Sequence, residues 1–171
     1  FLRRPAELGE PDLIVIPGTK STAADLAWLR ASGLAEAIRR AVDRGVPLLG
    51  VCGGYQMLGR RILDPERVEA DQPEVPGLGL LDVVTRFAST KQTVRVAGVA
   101  RAGAGVFAAV AGTPFRGYEI HHGQTERGAL APWLTVRERG GVPVTAEEGA
   151  LREDGLVAGC YIHGLFESDH F

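Results

Sequence analysis

Cysteine occurs only twice in this chain of 171 residues, at positions 52 and 160. Two thiols so far apart make neither a disulfide framework nor the closely spaced ligand pairs of a zinc site. A reducing, cytoplasmic setting is therefore expected. Long apolar runs are missing as well: stretches such as Val46 to Cys52 fall far short of the roughly 20 residues that cross a bilayer. No basic-then-apolar leader opens the chain, so the expectation is a soluble protein. Nor is there an excess of one charge. Nineteen basic residues face 21 acidic ones, for a formal net charge of −2, which leaves no footprint for nucleic acid and no acidic tail. Internal repeats and low-complexity segments are also lacking. What remains is a chain 45% hydrophobic, enough to bury one sizeable core over residues 1–171. It begins at Phe1, with a strand-like segment almost at once, so the natural chain is expected to be longer.

The hydrophobic pattern predicts an α/β fold. Leu13-Ile14-Val15-Ile16, closed by Pro17-Gly18, reads as a fully buried parallel strand. Thr22 and Asp25 resemble a capping box at the start of a helix. Leu34, Ala37, Ile38, Ala41 and Val42 recur at helical spacing, and Gly45 stops that helix. Val46 to Val51 then reads as a second buried strand, completing a strand, helix, strand crossover. Asp64-Pro65 and residues 71–77 are loop chemistry, and this stretch is expected to be the most mobile. Leu80 to Phe87, Thr93 to Val99, Gly117 to His121 and Leu156 to Ile162 are strand-like, which predicts a β-rich and partly antiparallel second half.

The strongest chemical signal is Gly50-Val51-Cys52-Gly53-Gly54, between a buried strand and the helical segment Tyr55 to Arg61. A nucleophile elbow needs small residues around its nucleophile, because the backbone turns sharply there. A helix N-terminus beside the sulfur favours the thiolate. Cys52 is the candidate nucleophile, whereas Cys160, inside a strand and without such glycines, reads as core. A base is required, and Gly159-Cys160-Tyr161-Ile162-His163-Gly164 places His163 at a strand's C-terminal end, where open α/β sheets hold their sites. Viewed alone that histidine would be structural; beside the elbow it is the candidate base. For the oxyanion, the N–H of Gly53 and that of Gly18 or Thr19 are candidates. Gly18-Thr19-Lys20-Ser21 lacks the frame of a phosphate loop. His121 and His122 precede Gly123 at the same rim, and no histidine spacing matches a zinc pattern, so no metal is assigned.

These residues resemble the class I, or triad, glutamine amidotransferases, in which Gly-x-Cys-x-Gly precedes a helix and a distant histidine completes the site; Gln56 matches the family's Cys-x-Gly-x-Gln. A narrower resemblance is to the C-terminal domain of the cobyric acid synthase family. It rests on Pro17-Gly18-Thr19-Lys20-Ser21-Thr22, Trp28-Leu29-Arg30, Val51 to Gly59, Gly77-Leu78-Gly79-Leu80-Leu81, Gly117-Tyr118-Glu119-Ile120-His121 and Tyr161 to Phe166. The resemblance implies a class I amidotransferase-like, flavodoxin-like open mixed sheet with helices on both faces. It implies that residues 1–171 are a glutaminase domain whose substrate is glutamine, with the α-amino and α-carboxylate groups held by Gln56 and the backbone of His122-Gly123. No cofactor is implied for this domain. ATP and Mg²⁺ belong to an N-terminal synthetase domain of the same parent chain, absent here, which takes a corrinoid and amidates its carboxylates.

One departure stands out. Many class I members carry His-x-Glu, but the residue two after His163 is Leu165. A Cys–His dyad is expected, with Glu119 or Glu167 as possible orienters and low glutaminase activity for the domain alone. Rival readings are the glutaminase half of cobyrinic acid a,c-diamide synthase or of a lipid-amidating cell-wall enzyme, against which the Lys20-Ser21-Thr22 and Trp28-Leu29-Arg30 blocks speak. Others are a cysteine hydrolase on the same fold and an inactive scaffold, the last disfavoured by the presence of both Cys52 and His163.

Overall fold

The computed structural model describes residues 2–171, except for the side chains of 88–92; Phe1 lies outside the described residues. Its strands, in chain order, are β1 (Ile14–Ile16), β2 (Leu48–Val51), β3 (Arg61–Leu63), β4 (Glu74–Pro76), β5 (Val84–Ala100), β6 (Pro114–Glu126), β7 (Leu134–Arg139), β8 (Val142–Glu148), β9 (Ala150–Leu151), β10 (Val157–Cys160) and β11 (Ile162–His163). The helices are α1 (Thr22–Ala31), α2 (Leu34–Asp43) and α3 (Gly53–Leu58).

The strands form two sheets. The first has the order β1-β2-β10-β9, with β1, β2 and β10 parallel and β9 antiparallel. Its register pairs Ile16 with Gly50 and Val51 with Cys160. The C-terminal ends of three parallel strands thus meet at one edge, where an open α/β sheet holds its site. The second sheet runs β11-β6-β5-β3-β4, with the β7–β8 hairpin paired to β5. Its main ladder is the long antiparallel pairing of β5 with β6, in keeping with the β-rich second half.

Packing follows the pattern for α2, which buries Leu34, Ile38, Ala41 and Val42 along one face and ends before Gly45 at φ +96°, a conformation glycine adopts without steric cost. Two apolar clusters result. One gathers α1, α2 and α3 side chains on the first sheet, including Leu26, Ile38 and Leu58. The other centres on Phe115, Trp133 and Leu134.

Several expectations are corrected. β1 is an edge strand, and Val15 is 41% exposed; four apolar residues in a row do not reveal whether both faces are covered. The Thr22–Asp25 capping box does not form, since Ser21 is the N-cap. Asp25 instead receives the Thr19 hydroxyl, and the Thr22 N–H goes to Glu69 Oε2 at 3.0 Å. Leu80 to Val83 precede β5 rather than belonging to it. The stretch expected to be loop contains β4 and is pinned by Asp64, which is fully buried. Its carboxylate accepts N–H bonds from Val68, Glu69 and Ala70 at 2.7–2.9 Å. Burial works to raise the Asp64 pKa, but those donors outweigh it and hold it below the usual range. Finally, Leu156 to Ile162 is not one strand. The chain leaves the first sheet at Tyr161, and Ile162-His163 pairs with β6 in the second.

Candidate active site

Cys52 sits at the turn from β2 into α3 with φ 53° and ψ −112°, a conformation a side-chain-bearing residue rarely adopts. The turn is possible because the chain beside it is glycine. A methyl group added at Gly54 would stand 2.0 Å from the Ile16 carbonyl oxygen. The sequence therefore dictates the elbow locally: only Gly54 lets α3 approach β1 closely enough for Cys52 to be lifted at the sheet edge.

His163 arrives from the other sheet. A methyl group on Gly18 would lie 2.7 Å from His163 Cε1 and 3.3 Å from Cys52 Cβ. The imidazole and the Cys52 side chain therefore converge on the loop after β1, those two atoms being no more than about 6 Å apart by the sum of these distances. The Cys52 thiol donates to the Ile120 carbonyl at 3.3 Å, and the same carbonyl lies near enough to the His163 ring to favour its protonated form, while His163 Nε2 is buried without a partner among the described residues. Cys52 is 6% exposed. Burial pushes the His163 pKa down, and the nearby Ile120 carbonyl only partly opposes this, which favours the neutral ring that a base must be. Tyr118, paired with His163 across the β6–β11 ladder, stacks on the ring at 5.2 Å with planes 5° apart.

The two oxyanion candidates lie in the same place. A methyl group on Gly18 would touch the side chains of both Cys52 and His163, and one on Gly53 would meet Thr19 N at 3.2 Å. The loop after β1 and the first turn of α3 thus face each other beside the sulfur, an arrangement that can offer two N–H donors to one oxygen.

Gln56 is 2% exposed and its amide is engaged. Its Nε2 donates to the His122 carbonyl at 3.0 Å and to the Tyr161 hydroxyl at 3.3 Å, while Oε1 accepts from the Thr22 hydroxyl at 3.2 Å. It ties α3, α1 and β6 together, so its direct bonds are to protein groups. Gly123 has φ +92° and lies so close to β5 that a methyl group there would meet the Arg86 carbonyl oxygen at 2.7 Å. His122 is half-buried with its Nδ1 unpartnered among the described residues.

Neither orienter reaches the base. Glu119 is 2% exposed and gives one oxygen to Arg139 at 3.0 Å. Glu167 is exposed, near Gly164. Among the described residues neither is hydrogen-bonded to His163. Cys160 is fully buried and donates to the Ile162 carbonyl at 3.7 Å, and burial raises its pKa well above the usual thiol range; it is a core residue. Sequence reasoning missed the Ile120 carbonyl, since no side chain announces it, and gave Tyr118 no definite role.

A family model described as the CobB/CobQ-like glutamine amidotransferase domain matches residues 1–171. The chain belongs to this family. It is similar to cobyric acid synthases of Listeria welshimeri (42% identity over 172 residues), Pelotomaculum thermopropionicum (49% over 163) and Dehalococcoides mccartyi (45% over 171). The matches cover 100%, 95% and 100% of this chain but 32%, 31% and 34% of those proteins, so the chain spans about a third of the length of these curated relatives. Among solved structures, a glutamine amidotransferase aligns with a TM-score of 0.60 at 21% identity, covering 99% of this chain and 79% of that one. PurLQS from Thermotoga maritima aligns at 0.58 and 20%, covering 91% and 70%. These bear out an open α/β amidotransferase fold. No helix among the described residues is long and apolar enough to cross a membrane.

Proposed function

We propose that this domain hydrolyses glutamine and supplies the ammonia with which a cobyric acid synthase amidates corrinoid carboxylates in cobalamin synthesis. The observation that carries the chemistry is the convergence of Cys52 and His163 on Gly18; the choice of acceptor rests on the cobyric acid synthases matched over 95–100% of the chain.

In this reading the Cys52 sulfur attacks the side-chain amide carbon of glutamine, and its proton passes to His163. The carbonyl oxygen takes up the negative charge facing the N–H groups of Gly53 and of the Gly18-Thr19 loop. His163 returns the proton to the departing nitrogen, the C–N bond breaks, and ammonia leaves a thioester. Water, losing a proton to His163, attacks that thioester, and glutamate is released as the sulfur recovers its proton. Orientation of the imidazole falls to the Tyr118 ring stacked on it rather than to a carboxylate, which makes the site a dyad. Gln56 acts by holding the His122-Gly123 backbone where the amino-acid end of glutamine is to be bound.

ATP, Mg²⁺ and the corrinoid are assigned to a synthetase domain in the remaining two thirds of the parent chain, because this chain carries no phosphate loop. The test is glutamate release from glutamine, with the a,c-diamide of cobyrinic acid as acceptor, by the parent synthetase and by its Cys52→Ala form. Release and amidation abolished together, with amidation restored by added ammonia, is the expected result. Release that survives the substitution, or a preference for cobyrinic acid itself as acceptor, would sink the reading.

A further inference from the structure

Alternation along β6 gives the active-site strand a second working face. Ile120, whose carbonyl receives the Cys52 thiol, is flanked by Glu119 and His121, and these two point into a recess of about 230 Å³ together with Tyr55, Arg139, Glu148 and Tyr161. The His121 and Tyr161 rings, stacked 3.8 Å apart, form one wall. Tyr161 also bonds Gln56, so that wall is tied to the network beside Cys52.

Two carboxylates in the recess are left half-used. Glu119 is 2% and Glu148 7% exposed. Glu119 Oε1 takes Arg139 at 3.0 Å, and Glu148 Oε1 takes the Tyr161 backbone N–H at 2.7 Å. The Oε2 of each is buried and without a partner among the described residues. A buried oxygen in that state calls for a donor. Arg139 pairs with Glu119, and the exposed Glu147 pairs with both Arg127 and Arg101; Glu148 forms no ion pair among the described residues.

We propose that this recess binds an ammonium ion between Glu119 and Glu148, the nitrogen being that released at Cys52. The proposal rests on the glutaminase reading for the source of its ligand. Ammonium fits the chemistry because it is small, singly charged and made only of N–H donors, and the recess offers it acceptors from two different strands. A multivalent metal ion fits poorly, since no group of three His, Cys, Asp or Glu among the described residues is placed to hold one. The proton balance is simple: neutral ammonia takes the proton of the Glu148 carboxylic acid, the O–H bond breaking as an N–H bond forms, and the reverse step returns ammonia. Glu148 suits this exchange, because burial, with Glu119 adding repulsion, raises its pKa to about 8 despite the bonded N–H of Tyr161, the nearby N–H of Gly149 and the opposing charge of Arg139. Tyr55 on α3 and Cys160 on β10 also face it.

The test compares the thermal midpoint of the full chain in ammonium chloride, potassium chloride and tetramethylammonium chloride at equal ionic strength and pH 8. Ammonium at ten times its dissociation constant should raise the midpoint by about 3–6 °C over the other two salts. Glu148→Gln, whose amide oxygen can still accept from Tyr161, should abolish the rise. Cys52→Ala should retain it, so loss of the ammonium effect and loss of glutaminase activity are separate outcomes. In the unaltered chain the affinity should fall about tenfold per pH unit below about 8, a readout independent of how the variant folds. An equal rise with potassium or tetramethylammonium, a rise that persists in Glu148→Gln, or an affinity flat with pH would each overturn the proposal.

Discussion

A single added methyl group at position 18 should separate catalysis from folding. In Gly18→Ala the new Cβ would stand 2.7 Å from His163 Cε1, whereas carbon atoms rest about 3.5–4.0 Å apart. The neighbouring Cys52 Cβ, at 3.3 Å, belongs to a strained elbow that is packed on β1 and yields little. The imidazole must therefore give way by about 1 Å, a misplacement that costs about 10²-fold in rate. Stability should hardly change. Gly18 is not among the positive-φ glycines, so alanine is conformationally acceptable and gains about 0.4–1 kcal/mol from the unfolded chain. That gain is set against the cost of tilting a half-buried ring at the rim of the fold. The assay is glutamate release under saturating glutamine, with a denaturant titration of the same preparation. A kcat within about threefold of the unaltered chain would refute the geometry, and so would an activity loss matched by a loss of stability.

Two pH measurements test the electrostatics of the same region. Burial lowers the His163 pKa below 6.5, so the acid limb of kcat/KM, which reports the free enzyme's base, should have its midpoint below pH 6.5; a midpoint above that value would mean that the ring is solvated or faces an anion. Glu148 acts in the opposite sense on stability. Its folded pKa is raised to about 8 from 4.5, so its contribution is complete below pH 4.5 and is lost as pH rises through about 8. Urea unfolding at pH 6 and pH 8 should differ by about 2 kcal/mol from this group, at roughly 1.4 kcal/mol per unit of pH, and Glu148→Gln should remove that difference. An unchanged slope in the variant would assign the dependence to another group.

How much of this was readable in advance depended on the range of the interactions involved. The elbow at Cys52 was legible because its cause is local: glycines on either side of a cysteine, between an apolar run and a helix, have a steric meaning that survives without neighbours. The face of α2 was legible for the same reason, since periodicity is a property of the segment. The break at Tyr161 was not. Leu156 to Ile162 is uniformly strand-like, and only the partners decide that β10 pairs with β2 while β11 pairs with β6. The orienting roles of Glu119 and Glu167 failed likewise, because proximity in sequence to a histidine says nothing about which way a carboxylate faces.

From sequence alone follow the candidate nucleophile and base, the α/β class and the strand order around the first crossover. Tertiary structure decided what those residues touch. It put one backbone carbonyl, that of Ile120, beside the side chains of both Cys52 and His163, and it buried two carboxylates behind the same strand. Both outcomes arise from pairings between segments more than a dozen residues apart, whose register is set by cross-strand packing rather than by any preference within the segments themselves.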